Sequence, residues 1–83
     1  MILQPEFELT RINRNVIRRI LDALSNEGMT NMTNLATRAN VQYTRLVKYV
    51  EWLTHIGAVR QVSDGKFRYV LITEKGKEVL ANF

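Results

Sequence analysis

The residues best suited to chemistry in this sequence are cations and aromatics clustered between positions 42 and 52. Arg45 and Lys48 are three positions apart, so on a helix they lie beside each other on one face. Neighbouring amide, phenol and hydroxyl groups can donate hydrogen bonds to phosphates or to base edges. The predicted contact residues are Gln42, Tyr43, Thr44, Arg45, Lys48 and Tyr49. Such a set favours noncovalent recognition of a polyanion over catalysis.

Side chains for covalent or metal chemistry are scarce. The sequence has no cysteine and a single histidine, His55, so neither a thiolate nor a pair of imidazoles is available to a metal. Ser25 and Ser63 lack the flanking motif of a nucleophile, and no glycine-rich phosphate loop occurs. We therefore predict no enzyme activity, no catalytic residue, no metal site and no cofactor. No motif for a small-molecule effector is evident either.

The distribution of charge says more than the net charge of +4. Residues 11–19 contain four arginines, and residues 38–68 contain six cations against two acids. The second block includes the predicted contact residues, which indicates a polyanionic partner, and we predict double-stranded DNA. No signal peptide and no apolar run of about 18 residues is present, so we expect no membrane contact. The expected location is the cytoplasm, in association with the nucleoid.

Hydrophobic periodicity predicts three helices, which precede a segment with the periodicity of strands. The first is expected to run from Thr10, as its N-cap, to about Glu27, with Gly28 in the left-handed conformation that ends it. A short extended piece is expected next. Asn31 then fits as the N-cap of a short second helix that reaches Ala39.

The third predicted helix, residues 41–57, is the element that would position the contact residues. Leu46, Val50 and Leu53 fall on its buried face, whereas Trp52 could belong to the core or to the surface. Asn40 lies in the short turn before it, where a left-handed conformation is cheap for asparagine. Two helices across such a turn, the second one basic, form a helix-turn-helix. We expect residues of about 42–56 to enter a DNA major groove.

After the third helix the periodicity changes from 3.6 to 2, which predicts a β-hairpin over residues 58–72. Its strands are expected at 58–63 and 66–72, joined by a two-residue Asp64-Gly65 turn. The alternation leaves open which face of the second strand is buried. This hairpin, which we call the wing, contains three cations that are predicted to contact DNA. They are Arg60, Lys66 and Arg68. A short final helix with Thr73 as its N-cap should follow.

This order of elements resembles a known family. The segments ANVQYTRLVKYVEWLTHIGAV and ITEKGKEVL look like those of small archaeal winged-helix DNA-binding proteins of the chromatin and transcriptional-regulator type. More distantly, they are similar to MarR-type repressors. The resemblance covers about residues 12–82. It implies an α+β fold, mostly α, with a winged-helix DNA-binding domain at residues 10–83 behind an N-terminal arm at residues 1–9.

Apolar residues near both ends favour a homodimer, since one small domain does not obviously need them. They are Ile2, Leu3 and Phe7 in the arm, and Val79, Leu80 and Phe83 at the end. The arm could instead pack on its own core. The main interpretation is a transcriptional regulator or chromatin protein. The alternative is a winged helix used as a protein–protein interaction module, with Tyr43, Tyr49 and Trp52 as its apolar patch.

Overall fold

Four helices and three short strands make up residues 13–83, the part of the chain that the computed structural model describes. In chain order they are α1 Arg14–Glu27, β1 Thr30–Asn31, α2 Met32–Ala39, α3 Tyr43–His55, β2 Val59–Ser63, β3 Arg68–Ile72 and α4 Glu74–Ala81. The strands form one antiparallel sheet in the order β1-β3-β2. This confirms the predicted α+β fold, mostly α, with three helices, a hairpin and a short final helix.

The first helix begins later than predicted. Asn13 is its N-cap, because its extended backbone lets the side-chain oxygen accept the amides of Asn15 and Val16, at 2.8 and 3.4 Å. The prediction of Thr10 as the cap was therefore wrong, and Thr10 and the arm lie outside the described residues. The predicted end is confirmed, since Gly28 has a φ of 81°.

The helix-turn-helix forms where the sequence predicts it. The Asn31 side chain caps α2 by accepting the amide of Asn34 at 2.8 Å. Asn40 adopts the left-handed conformation, with φ 57° and ψ 53°, and closes α2. The amide of Val41 then donates to the carbonyl of Ala36 at 2.9 Å, which fixes the turn into α3.

The core lies between the helices and one face of the sheet. Its largest fully buried side chains are Ile20, Leu21, Leu24, Leu35, Leu46, Val50, Leu53, Val59 and Val70. The three residues that α3 was predicted to bury are among them. Val70 settles the face of β3, because its burial places Arg68 and Ile72 on the side of the sheet that faces the helices. No helix within residues 13–83 is long and apolar enough to cross a bilayer.

The hairpin has a longer loop than predicted. Ser63 pairs with Arg68, so residues 64–67 form the loop, and the predicted two-residue turn was wrong. The Asp64 carboxylate accounts for the difference, because it accepts the amides of Phe67 and Lys66, at 3.0 and 3.1 Å. These two bonds stabilise the charged carboxylate and hold the pKa of Asp64 below its ordinary value of 3.8.

The last helix is tied to the end of α3. The Thr73 hydroxyl accepts the amide of Gly76 at 3.1 Å, as predicted for an N-cap, and donates to the carbonyl of Gly57 at 2.6 Å. The amide of Thr73 donates to the carbonyl of Ala58 at 3.1 Å. These bonds fix the position of α4 against the segment that joins α3 to β2.

Candidate nucleic-acid interface

The exposed face of α3 brings together five of the six predicted contact residues of this helix. They are Gln42, Tyr43, Thr44, Arg45 and Lys48, all of which are exposed. Gln42 precedes the first turn, and its side chain makes no hydrogen bond that caps the helix. The opposite face of α3 is held rigidly in the core by Leu46 and Leu53, which are fully buried. The exposed side chains are therefore presented on an element that cannot easily rotate.

Tyr49, the sixth residue, does not lie on the exposed face, so its predicted exposure was wrong. It retains only 7% of its accessible surface. The ring packs in the core while the hydroxyl accepts the backbone amide of Asn13 at 3.1 Å, which satisfies its polar end. A guanidinium nitrogen of Arg45 also lies 3.5 Å from this hydroxyl, and the guanidinium carbon lies 5.9 Å from the ring centroid. Tyr49 thus helps to orient Arg45.

The apolar patch of the alternative interpretation is not assembled. Tyr43 is 49% exposed, but Tyr49 is buried and Trp52 is half-buried against the core. The open question about Trp52 is thereby answered in favour of packing. A patch for a protein partner that required all three rings exposed on one surface does not exist on this helix.

The three wing cations are all exposed, but they do not share one face. Arg68 lies opposite Ser63 at the end of the hairpin, on the side of the sheet that faces the helices. Arg60 lies opposite Leu71, on the other side. Lys66 lies in the loop. The structure therefore brings Lys66 and Arg68 together and separates Arg60 from them.

An open groove of about 480 Å³ joins the wing to the start of α3. Its lining residues are Asn31, Met32, Thr33, Asn34, Tyr43, Lys66, Phe67 and Arg68. We call it the wing groove. None of these eight residues is acidic, and Lys66 and Arg68 give it a positive charge. The wing groove extends the cationic surface of α3 toward the hairpin.

Arg19 is an important residue that the sequence did not single out. From α1, its Nε donates to the carbonyl of Ala39 at 2.9 Å, and one terminal nitrogen lies 3.4 Å from the carbonyl of Asn40. It therefore connects α1 to the turn of the helix-turn-helix. The sequence offered no signal for this role, since Asp22, three positions further along α1, has the spacing of a helical partner for Arg19. The carbonyls at the end of a helix are natural partners for a cation.

Two more cations of the basic blocks make contacts within the domain. Arg38 lies 3.3 Å from the carboxylate of Glu27 and so links α2 to α1. The guanidinium of Arg14 lies 5.1 Å from the ring centroid of Phe83, at the end of the chain. Both arginines therefore have partners within the domain.

Three helices, a turn closed by a left-handed residue and a hairpin beside the third helix define a winged helix-turn-helix domain. A sequence model of the winged helix-turn-helix family matches residues 10–83. The chain belongs to this family. Comparison with curated protein sequences found no match.

Solved structures with the same fold support the resemblance to archaeal and MarR-type proteins. Sso10a-2, a DNA-binding protein from Sulfolobus solfataricus, is 25% identical, with a TM-score of 0.78 over 87% of this chain and 74% of its own. The transcriptional regulator BldR from Sulfolobus solfataricus is 32% identical, with a TM-score of 0.74 over 90% of this chain and 55% of its own. A MarR family regulator from Silicibacter pomeroyi is 29% identical, with a TM-score of 0.76 and coverages of 82% and 47%. This chain spans about half the length of these two regulators.

Proposed function

We propose that this protein binds double-stranded DNA and acts as a transcriptional regulator or chromatin protein on the nucleoid. The observation that carries the proposal is the exposed, acid-free first half of α3 on a rigidly packed helix. Arg45 and Lys48 neighbour each other there, and the side chains before them can donate to base edges or phosphates. The DNA-binding and regulatory descriptions of Sso10a-2 and BldR support the same function.

The parts of the surface have different roles in this proposal. The first half of α3 enters the major groove, and Arg45 is the residue best placed to read a base edge. Lys66 and Arg68, beside the wing groove, neutralise phosphates of the adjacent backbone. Arg60 contributes less because it lies on the other side of the sheet. Tyr49 acts indirectly, by orienting Arg45.

The salt dependence of binding tests this function. Neutralising about four to six phosphates per subunit should give a slope of log K against log salt concentration of about −0.9 per phosphate. Arg45→Ala should cost about 1–3 kcal/mol on a preferred site and relax its specificity. Lys66→Ala should weaken binding to all sequences alike and make the slope shallower by about one.

Lys77→Ala is the matched control for these substitutions. It also removes one cation, but Lys77 lies on α4, where its ammonium is 3.6 Å from Glu74. Its affinity for DNA should stay within about twofold of the wild type, a difference below about 0.4 kcal/mol. A slope shallower than about −2, or unchanged affinity in both Arg45→Ala and Lys66→Ala, would contradict DNA binding by this surface. No binding to random duplex at low salt would favour a protein partner instead.

We also propose that the protein forms a homodimer through its two ends. In the described part, the support comes from Phe83, which is 40% exposed, and from Val79 and Leu80, which are only half-buried. Phe83 contacts Arg14, so the end of the chain lies beside the start of α1. A two-fold dimer built there would present two reading helices to one duplex and raise affinity through linked binding.

Sedimentation velocity tests the dimer. The intact protein should sediment as a dimer at tens of micromolar. Deletion of residues 1–9 combined with Leu80→Glu should give a monomer whose affinity for DNA is much lower. Circular dichroism of this variant must show that it is still folded. A monomeric intact protein at these concentrations would exclude the proposed dimer and leave the apolar ends to cover their own core.

A further inference from the structure

Two aromatic side chains of the wing groove are largely exposed. Tyr43, the first residue of α3, is 49% exposed, and Phe67, in the wing loop, is 52% exposed. Both line the wing groove together with Lys66 and Arg68. The groove therefore interleaves two rings with two cations on a surface that contains no acid.

We propose that the wing groove binds an unpaired base of single-stranded DNA. The base would stack on Phe67 and Tyr43, while Lys66 and Arg68 hold the phosphates on either side of it. Stacking on aromatic rings in a cationic groove is the general way in which proteins bind single-stranded nucleic acid. The inference rests on the proposed function, because it assumes that this surface contacts DNA, and it adds a second form of DNA to the ligands.

The chemistry of Phe67 separates this inference from duplex binding. A benzyl side chain has no donor or acceptor, so it cannot bond a phosphate or read the hydrogen-bonding edge of a base. In a duplex the faces of the bases are covered by their neighbours. In a single strand they are accessible, and stacking is then worth about 5- to 150-fold in affinity per base. Stacking on Phe67 therefore requires a base whose face is accessible, as in a single strand.

The geometry of the loop supports stacking. The Asp64 carboxylate holds the amides of Lys66 and Phe67, so the backbone that carries the ring is fixed before a ligand arrives. The Phe67 and Tyr69 ring centroids are 6.3 Å apart with an interplanar angle of 55°. In this tilted arrangement Tyr69 does not lie flat on the Phe67 ring, and a face of Phe67 is left for a base.

The α2 side of the wing groove offers groups for the edge of the same base. Thr33 and Asn34 line it, and their side chains include both donors and acceptors. A volume of about 480 Å³ admits a base with its sugar, and the groove is open to solvent. The arrangement can hold one nucleotide without a requirement for a particular sequence.

Fluorescence anisotropy of the full chain with three labelled oligonucleotides tests the inference. These are a 12-nucleotide single strand of deoxythymidine, a mixed-sequence 12-base-pair duplex, and the same duplex with one unpaired thymidine. Phe67→Leu should weaken binding of the single strand and of the unpaired thymidine by about 5- to 150-fold. Its binding of the fully paired duplex should change by less than about twofold, because Lys66 and Arg68 remain.

Met29→Leu is the control, since Met29 is also an exposed apolar residue, at 56%, but does not line the wing groove. It should leave the binding of all three oligonucleotides unchanged. Equal loss for single strand and duplex in Phe67→Leu, or no loss for either, would overturn the inference. Duplex binding with a steep salt slope but no single-strand binding would also overturn it, and would leave the proposed function intact. Single-strand binding that Phe67→Leu abolishes, without duplex binding, would support the groove and refute the proposed function.

Discussion

Replacing Gly76 by alanine should destabilise the protein by about 3 kcal/mol, the upper end of the usual cost of overpacking. Gly76 is buried inside α4. A Cβ atom at this position would collide with the carbonyl oxygen of Ala58 and lie 2.6 Å from Cγ1 of Ile72. The carbonyl of Ala58 cannot move away easily, because it accepts the amide of Thr73. Urea denaturation of the wild type and the variant measures the difference in free energy of unfolding.

Helix propensity alone would predict the opposite effect of Gly76→Ala, a gain in stability. In an exposed helix, a change from glycine to alanine stabilises by about 1 kcal/mol. Here the steric cost should exceed this gain severalfold, because the colliding atoms belong to the backbone. The effect should include loss of the contact between α4 and Ala58, in the segment before β2.

Gly65→Ala is the appropriate control for Gly76→Ala. Gly65 has a φ of 94°, but a Cβ there would meet no atom within 4 Å. The cost should be limited to the conformational penalty of about 1–2 kcal/mol for an L residue at positive φ. If Gly76→Ala is no less stable than Gly65→Ala, α4 does not pack against the segment before β2 as described.

Local signals in the sequence predicted most of the fold. Asn31 and Thr73 were identified as N-caps, and Gly28 and Asn40 as helix ends, because each acts on amides or carbonyls a few residues away. The first cap was misplaced for the same reason, since Thr10 and Asn13 are both suitable cap residues and only the folded chain distinguishes them. The resemblance includes the segment that contains Gly76, but the steric reason for a glycine there is the distant Ala58.

The candidate site was predicted less completely than the fold. The predictions that were wrong concern residues whose positions depend on contacts distant in the sequence. Tyr49 lies at the margin of the buried face of α3, where periodicity cannot decide between core and surface. The deciding partner is the amide of Asn13, which is 36 positions away in the chain. The same limit applies to the separation of Arg60 from Arg68, which follows from the pairing of the strands. The loop is longer than predicted because the Asp64 side chain accepts two backbone amides, and an Asp-Gly pair in the sequence does not predict these bonds.

Replacing Arg19 by methionine should destabilise the protein by about 2 kcal/mol, a typical loss for hydrogen bonds made by a charged group. The half-buried guanidinium donates to the carbonyl of Ala39 and lies within hydrogen-bonding distance of that of Asn40, at the end of α2. Methionine has a similar reach and fills similar space but offers no donor. It also removes a cation from the negative end of α2, where such a charge is favourable.

The Arg19→Met substitution should also have a local effect, on the turn before α3. The amide of Val41 donates to the carbonyl of Ala36 in the turn that Arg19 holds, so its hydrogen exchange should accelerate more than that of amides in α4. Since α3 follows this turn directly, a looser turn should also lower the affinity for duplex DNA. This affinity is measured without urea, where the variant is fully folded. This loss would come from a residue that does not lie on the proposed DNA-binding surface.

Arg18→Met is the matched substitution, because it removes the same charge from the next position of the same helix. Arg18 is exposed and donates to Asn15 at 2.7 Å, a contact within α1 that is worth about 0.5 kcal/mol or less. Its stability and the exchange of the Val41 amide should therefore stay close to those of the wild type. Arg19→Lys keeps the charge but not the planar pair of donors. Its stability should therefore lie between those of the wild type and Arg19→Met. Equal stability and equal exchange in Arg18→Met and Arg19→Met would show that the turn holds its geometry without help from α1.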